Sequence, residues 1–110
     1  MKIAVVDDNE SERTKLCTLL REWGEKRKYE MVCNEFTDGE DFLKVSGTYQ
    51  AVFLDIYMEK LNGIDTARML RKYDKNCKII FMTISPVPGK EAHFRQRIWA
   101  ASDPEAENPE

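Results

Sequence analysis

The chain is poor in the residues from which many catalytic and metal sites are built. It has one histidine, His93, and three cysteines, Cys17, Cys33 and Cys77, with no CxxC pair and no Cys/His cluster. That argues against a structural zinc site, whose ligands commonly come at close, paired spacings. The cysteines are odd in number and far apart, so they read as small core residues kept reduced rather than as a disulfide framework. The lone histidine reads as a surface residue. No apolar run approaches the roughly 18 residues that mark a membrane span. An excess of one charge is also missing. Lys and Arg total 17 against 20 Asp and Glu, for a net charge of −3, which gives no electrostatic reason to expect nucleic acid or an anionic membrane surface as partner. The first residues lead straight into an apolar run, leaving no room for a signal peptide, so the expected location is the cytoplasm.

What is present is ordinary globular material: 110 residues, 42% hydrophobic and 34% charged, without repeats or an internal linker. One domain with a modest core is expected. Residues 2–7 carry a continuous apolar run, as a strand covered on both faces does. After Asp7-Asp8-Asn9, Ser11 is placed to cap a helix to about Lys26, with Leu16, Leu20 and Trp23 as its apolar stripe. Tyr29 to Phe36 reads as a second strand, and Asp38-Gly39 as a turn into a short helix around Phe42-Leu43 that ends near Gly47. Residues 50–55 read as a third strand. A loop, Ile56 to Asn62, leads to Gly63, which opens a helix carrying Ile64, Ala67, Leu70 and Arg71. Lys78 to Thr83 reads as a fourth strand. Strands and helices in strict alternation predict an α/β fold, a flavodoxin-like doubly wound parallel sheet with helices on both faces.

Beyond Thr83 the pattern breaks at Ser85-Pro-Val-Pro-Gly89. Residues 85–101 read as an atypical segment with a helix from Lys90 to about Ala101, and residues 102–110 as an acidic, disordered tail. The fold is therefore expected to be incomplete at its C-terminus, with 1–84 as its core.

The chemistry lies in the acids. Two apolar strands, Lys2–Val6 and Ala51–Leu54, run into carboxylates: Asp7 and Asp8 after the first, Asp55 after the second. In an open parallel sheet such strand ends converge on one crevice. Three acids there repel one another unless a cation joins them, and a hard divalent ion suits oxygen ligands. A carboxylate is also an established nucleophile toward phosphoryl groups. Thr83, at the end of the next strand, supplies a hydroxyl for a phosphoryl oxygen.

Four stretches in register, Ile3-Ala-Val-Val-Asp-Asp-Asn9, Leu54-Asp-Ile-Tyr-Met58, Asn62-Gly-Ile-Asp65 and Ile79-Ile-Phe-Met-Thr83, resemble the receiver domain of bacterial response regulators. The residues around Asp55 and Gly63 are most similar to receivers that precede a LytTR-type DNA-binding domain. The resemblance implies a signalling phosphoacceptor with weak self-phosphorylation and dephosphorylation, not an enzyme in the ordinary sense. Asp55 would take phosphate from a sensor histidine kinase. Mg2+ would be held by Asp7, Asp8, Asp55 and the backbone carbonyl of Tyr57, and Thr83 would contact the phosphoryl group. The family's lysine on a fifth strand has no counterpart at the expected place, where Ser102-Asp-Pro-Glu105 stands instead. Lys90 is the last lysine in the chain. The alternative is thus a truncated, receiver-like interaction module that binds metal without switching. An absent fifth strand would bare the edge of strand 4, so self-association is expected by edge pairing there or by swapping the segment after Thr83. With no output domain in these residues, the chain itself is expected to bind neither nucleic acid nor membrane.

Overall fold

A computed structural model describes residues 1–86 and 94–101, with side chains described through residue 82. Chain order gives β1 (Lys2–Val6), α1 (Glu10–Lys26), β2 (Val32–Phe36), α2 (Gly39–Lys44), β3 (Ala51–Asp55), α3 (Gly63–Arg71), β4 (Lys78–Pro86) and β5 (Phe94–Ala101). The sheet order is β2-β1-β3-β4-β5. The first four strands are parallel, with Ile3 opposite Cys33 and Ala51, and Val52 opposite Ile79. This is the doubly wound arrangement anticipated from the alternating pattern.

Both faces of the sheet are covered, which explains the continuous apolar strands. Within β1, Ala4 and Val6 enter the larger core cluster with Phe42, Leu54, Ala67 and Leu70, under α2 and α3. Val5 points the other way, into a smaller cluster with Leu16, Cys17, Cys33 and Met82 under α1. A period of two thus splits a single apolar run between two cores. Phe36, Phe42 and Tyr49 form an aromatic trio with ring centroids 5.6 to 5.9 Å apart, and the Tyr49 hydroxyl finds Asn34 Oδ1 at 3.0 Å. The ion pairs Asp65–Arg68 and Asp41–Lys44 are at least half exposed. Each contributes about 0–1 kcal/mol, so burial of apolar side chains decides the fold.

Each helix starts on an Asn or Asp whose side chain accepts from the backbone N–H three residues on: Asn9 from Glu12, Asp38 from Asp41 and Asn62 from Asp65. The cap of α1 is therefore Asn9, not Ser11. Both types cap well, but Asn9 is the residue held in extended conformation by the Asp7-Asp8 turn. The buried stripe of α1 is Leu16, Cys17 and Gly24, with Leu20 half-buried. Trp23 lies outside it, stacked on Tyr29 at 5.7 Å with the Arg27 guanidinium over its ring. Aromatic and cation partners satisfy that face of the ring in solvent.

The segment after Pro86 departs most from expectation. Phe94–Ala101 is a strand, not part of a helix, and it runs antiparallel to β4, pairing Ile79 with Ala101 through Pro86 with Phe94. Phe94, Ile98 and Ala101 satisfy helical spacing, but the backbone edge of β4 offers a ladder of hydrogen bonds that a helix would leave unmet. The bare β4 edge, and self-association through it, is thereby corrected: β5 of the same chain occupies it. Lys90, His93 and the tail from Ser102 lie outside the described residues.

Gly63 shows how closely the chain after β3 folds back. A Cβ there would sit 2.2 Å from the Asp55 carbonyl oxygen and 2.9 Å from Ile56 Cα, while its N–H donates to Ile56 O at 2.9 Å. Backbone cannot yield as a flexible side chain does. Gly63→Ala is expected to destabilise the domain by about 1–3 kcal/mol, read as a lower urea midpoint at unchanged m-value.

Candidate functional site

The register that sets Val6 opposite Leu54 carries Asp7 and Asp55 to the same end of adjacent strands. Asp7 is fully buried and Asp55 is 4% exposed, whereas Asp8 is exposed. One carboxylate oxygen from each of the three lies within 4.8 Å of the others. The acids that the sequence places at strand ends are therefore one cluster.

Backbone groups orient it. Asn9 N–H donates to Asp7 Oδ1 at 2.9 Å, Tyr57 N–H to Asp55 Oδ1 at 3.2 Å, and Glu59 N–H to Asp8 Oδ2 at 3.2 Å. Among the described residues, Asp7 Oδ2 is buried without a hydrogen-bond partner. Arg13 is close, but its Nη1 donates to the Asp7 backbone carbonyl at 3.1 Å and its Nε lies 3.1 Å from Glu35 Oε1. Its charge is directed to β2 rather than to the carboxylates.

The electrostatics follow. Burial raises the Asp7 carboxyl above its usual range, reinforced by the charges of Asp8 and Glu12. Asp55 is pushed up to about 7, first by burial and then by the Asp7 charge, with the Tyr57 N–H pulling the other way. With Asp8, these two carboxyls that resist ionising together complete a donor set of three carboxylates suited to a hard divalent cation.

Next to the cluster, a cleft of about 360 Å³ is lined by Asp8, Asn9, Asp38, Met58, Glu59 and Lys60. Lys60 Nζ lies 3.8 Å from Asp38 Oδ2. Asp38 and Lys60 escaped notice in the sequence, where one reads as a turn former and the other as a loop lysine. Their positions just after β2 and β3 were the available signal. Thr83 lies in β4 directly after Met82, the residue opposite Asp55, and its backbone pairs with Arg97. That arginine position was hidden by the helical reading of the segment. The ring of Tyr57 is exposed.

Comparison with known proteins agrees with this geometry. A family profile described as the response regulator receiver domain matches residues 3–94. The chain is 34% identical over 84 residues to the alkaline phosphatase synthesis transcriptional regulatory protein PhoP of Bacillus subtilis, a match covering 74% of this chain and 32% of that protein. The chain thus spans about a third of the length of this curated relative. Among solved structures, response regulator TrrA of Thermotoga maritima, in complex with Mg(2+)-BeF, is 34% identical with a TM-score of 0.57, covering 74% of this chain and 68% of that one. Chemotaxis protein CheY4 of Vibrio cholerae, 22% identical with a TM-score of 0.61 over 79% of this chain and 71% of that one, shares the fold.

The raised carboxyls predict a pH signature for the metal-free protein. The folded state binds the Asp55 proton more tightly than the unfolded chain, where 3.8 is the ordinary value. The resulting stability is present in acid and lost as pH rises through about 7. Asp55→Asn, which mimics the protonated group, should therefore be more stable than the parent by an amount that grows from pH 4 to a plateau above pH 7. The expected plateau is about 1–3 kcal/mol. Mg2+ should narrow the gap by stabilising the parent more. Urea midpoints across pH, with and without Mg2+, measure both effects.

Proposed function

The chain belongs to the response regulator receiver domain family, and on that premise we propose that it is a phosphoacceptor switch in which Asp55 takes a phosphoryl group from the phosphohistidine of a sensor histidine kinase. The observation that carries this reading is the cluster of Asp7, Asp8 and Asp55, where Asp7 Oδ2 is buried with no hydrogen-bond partner among the described residues. In the transfer, an Asp55 carboxylate oxygen attacks phosphorus. The P–N bond to the histidine breaks as the P–O bond forms, and the imidazole leaves with its electron pair and gains a proton.

The chain's own residues divide the work. Asp7 and Asp8, with the Tyr57 carbonyl and a second Asp55 oxygen, would hold Mg2+. That ion supplies the positive charge that lets the acids ionise together and offsets charge on phosphoryl oxygens. The Tyr57 N–H fixes one oxygen of Asp55 and so presents the other. Thr83 would receive a phosphoryl oxygen and shift with it, biasing the loops around Asp55 and Thr83 between two arrangements. Weak self-phosphorylation from small phosphodonors and slow hydrolysis belong to the same proposal, as do a cytoplasmic setting and a LytTR-type relationship. No helix among the described residues is long and apolar enough to cross a membrane.

A second reading keeps the metal and loses the switch. The antiparallel β5 favours it, because among the described residues no parallel strand ends beside Thr83 to bring a lysine to the pocket. Of the two routes to self-association, β5 closes the β4 edge and leaves exchange of the segment after Thr83.

With acetyl phosphate as donor, we expect Mg2+-dependent labelling that Asp55→Asn abolishes. Asp8→Asn should raise the Mg2+ concentration required by on the order of tenfold or more. Mg2+ binding with no labelling of the parent would transfer support to the second reading. Size-exclusion chromatography at two concentrations addresses the exchange: a dimer fraction that rises with concentration is expected, and a clean monomer at high concentration removes that part of the proposal.

A further inference from the structure

The smaller core cluster contains a chemical pair that the acidic pocket does not use. Cys17 projects from α1 and Cys33 from β2, and the Cys33 thiol donates to Cys17 Sγ at 2.9 Å. Both are buried, at 0% and 6% exposure. A disulfide bond is about 2.05 Å long, so joining the sulfurs calls for an approach of less than about 1 Å. The third cysteine, Cys77, belongs to the larger cluster on the opposite face of the sheet. The two elements are already tied one helical turn away, where Arg13 of α1 pairs with Glu35 of β2 at 3.1 Å.

We propose that Cys17 and Cys33 form a latent modification site: a disulfide- or diazene-class oxidant converts them into an intramolecular cross-link that pins α1 to β2, while Cys77 stays reduced. The step removes two electrons and two protons from the pair. Both S–H bonds break and one S–S bond forms, and the oxidant is reduced, to hydrazine in the case of diamide. Burial keeps the resting pair as thiols, raising Cys33 and pushing Cys17 up to about 12, so conversion waits on a permeating oxidant rather than on air. The cross-link closes a loop of the unfolded chain and stabilises the folded form. It stands on the geometry of the core and is independent of the function assigned to the pocket.

The test uses the full chain, folded, treated with diamide and then alkylated with N-ethylmaleimide in denaturant. The expected product has lost the mass of two hydrogens, carries a single maleimide at Cys77, and yields a linked Cys17–Cys33 peptide on digestion. Its urea midpoint is higher than that of the untreated chain and returns on reduction. Cys77→Ala should form the same link. Three maleimides on the treated chain, a link that includes Cys77, or oxidation that proceeds only in denaturant would each overturn the proposal.

Discussion

The repulsion between two buried carboxylates governs this molecule. Asp7 and Asp55 sit where β1 and β3 end side by side, and burial denies them the water that would screen their charges. The neighbouring backbone responds to that conflict. Asn9, Tyr57 and Glu59 each turn a backbone N–H toward one of the three acids, and Asp8 remains at the solvent rim. The metal-free protein is therefore held below the stability its core permits, an internal tension of the kind that clusters at functional sites.

Packing makes the tension tolerable. The strand residues leading to the pocket are fully buried, among them Val5 and Val6 of β1 and Val52 and Leu54 of β3, and they hold the strand ends in place whatever the carboxylates prefer. The turn beyond β3 is equally constrained by the contact between Gly63 and the Asp55 carbonyl. A second close approach joins two helices: Gly39 at the start of α2 would place a Cβ 2.1 Å from Thr66 Oγ1 of α3. Two glycines thus let two helix starts approach the pocket without steric argument over backbone or hydroxyl.

Much of this was legible in the sequence, and the reasons differ by residue. The runs Lys2–Val6 and Ala51–Leu54 are short, apolar and stopped by acids, so strand, burial and the meeting of the acids could be read together. That Asp7 is buried and Asp8 exposed could not be read, because adjacent residues are distinguished only by the path of the turn. Asn9 and Ser11 are both good caps, and tertiary geometry chose between them. Trp23 fits the helical stripe by spacing, yet its neighbours Tyr29 and Arg27 come from the helix end and the turn beyond it. Phe94–Ala101 has a pattern compatible with helix or strand, and the vacant side of β4, a non-local fact, decided for strand. The Cys17–Cys33 contact depends on how α1 lies across β2, which no local pattern specifies.

The three Asn and Asp caps place the beginnings of α1, α2 and α3 after β1, β2 and β3, and two of those caps, Asn9 and Asp38, line the cleft beside the acids. A helix start carries a fractional positive charge from its aligned peptide dipoles. The scaffold therefore directs a fixed electric field of the opposite sign at its own acidic rim, with no side chain to desolvate and none to mutate away. That field is too weak to cancel the acids, since Asp7 and Asp55 still hold their protons more firmly than usual. The backbone lowers the charge that a cation must neutralise, and it leaves a remainder for the cation to complete.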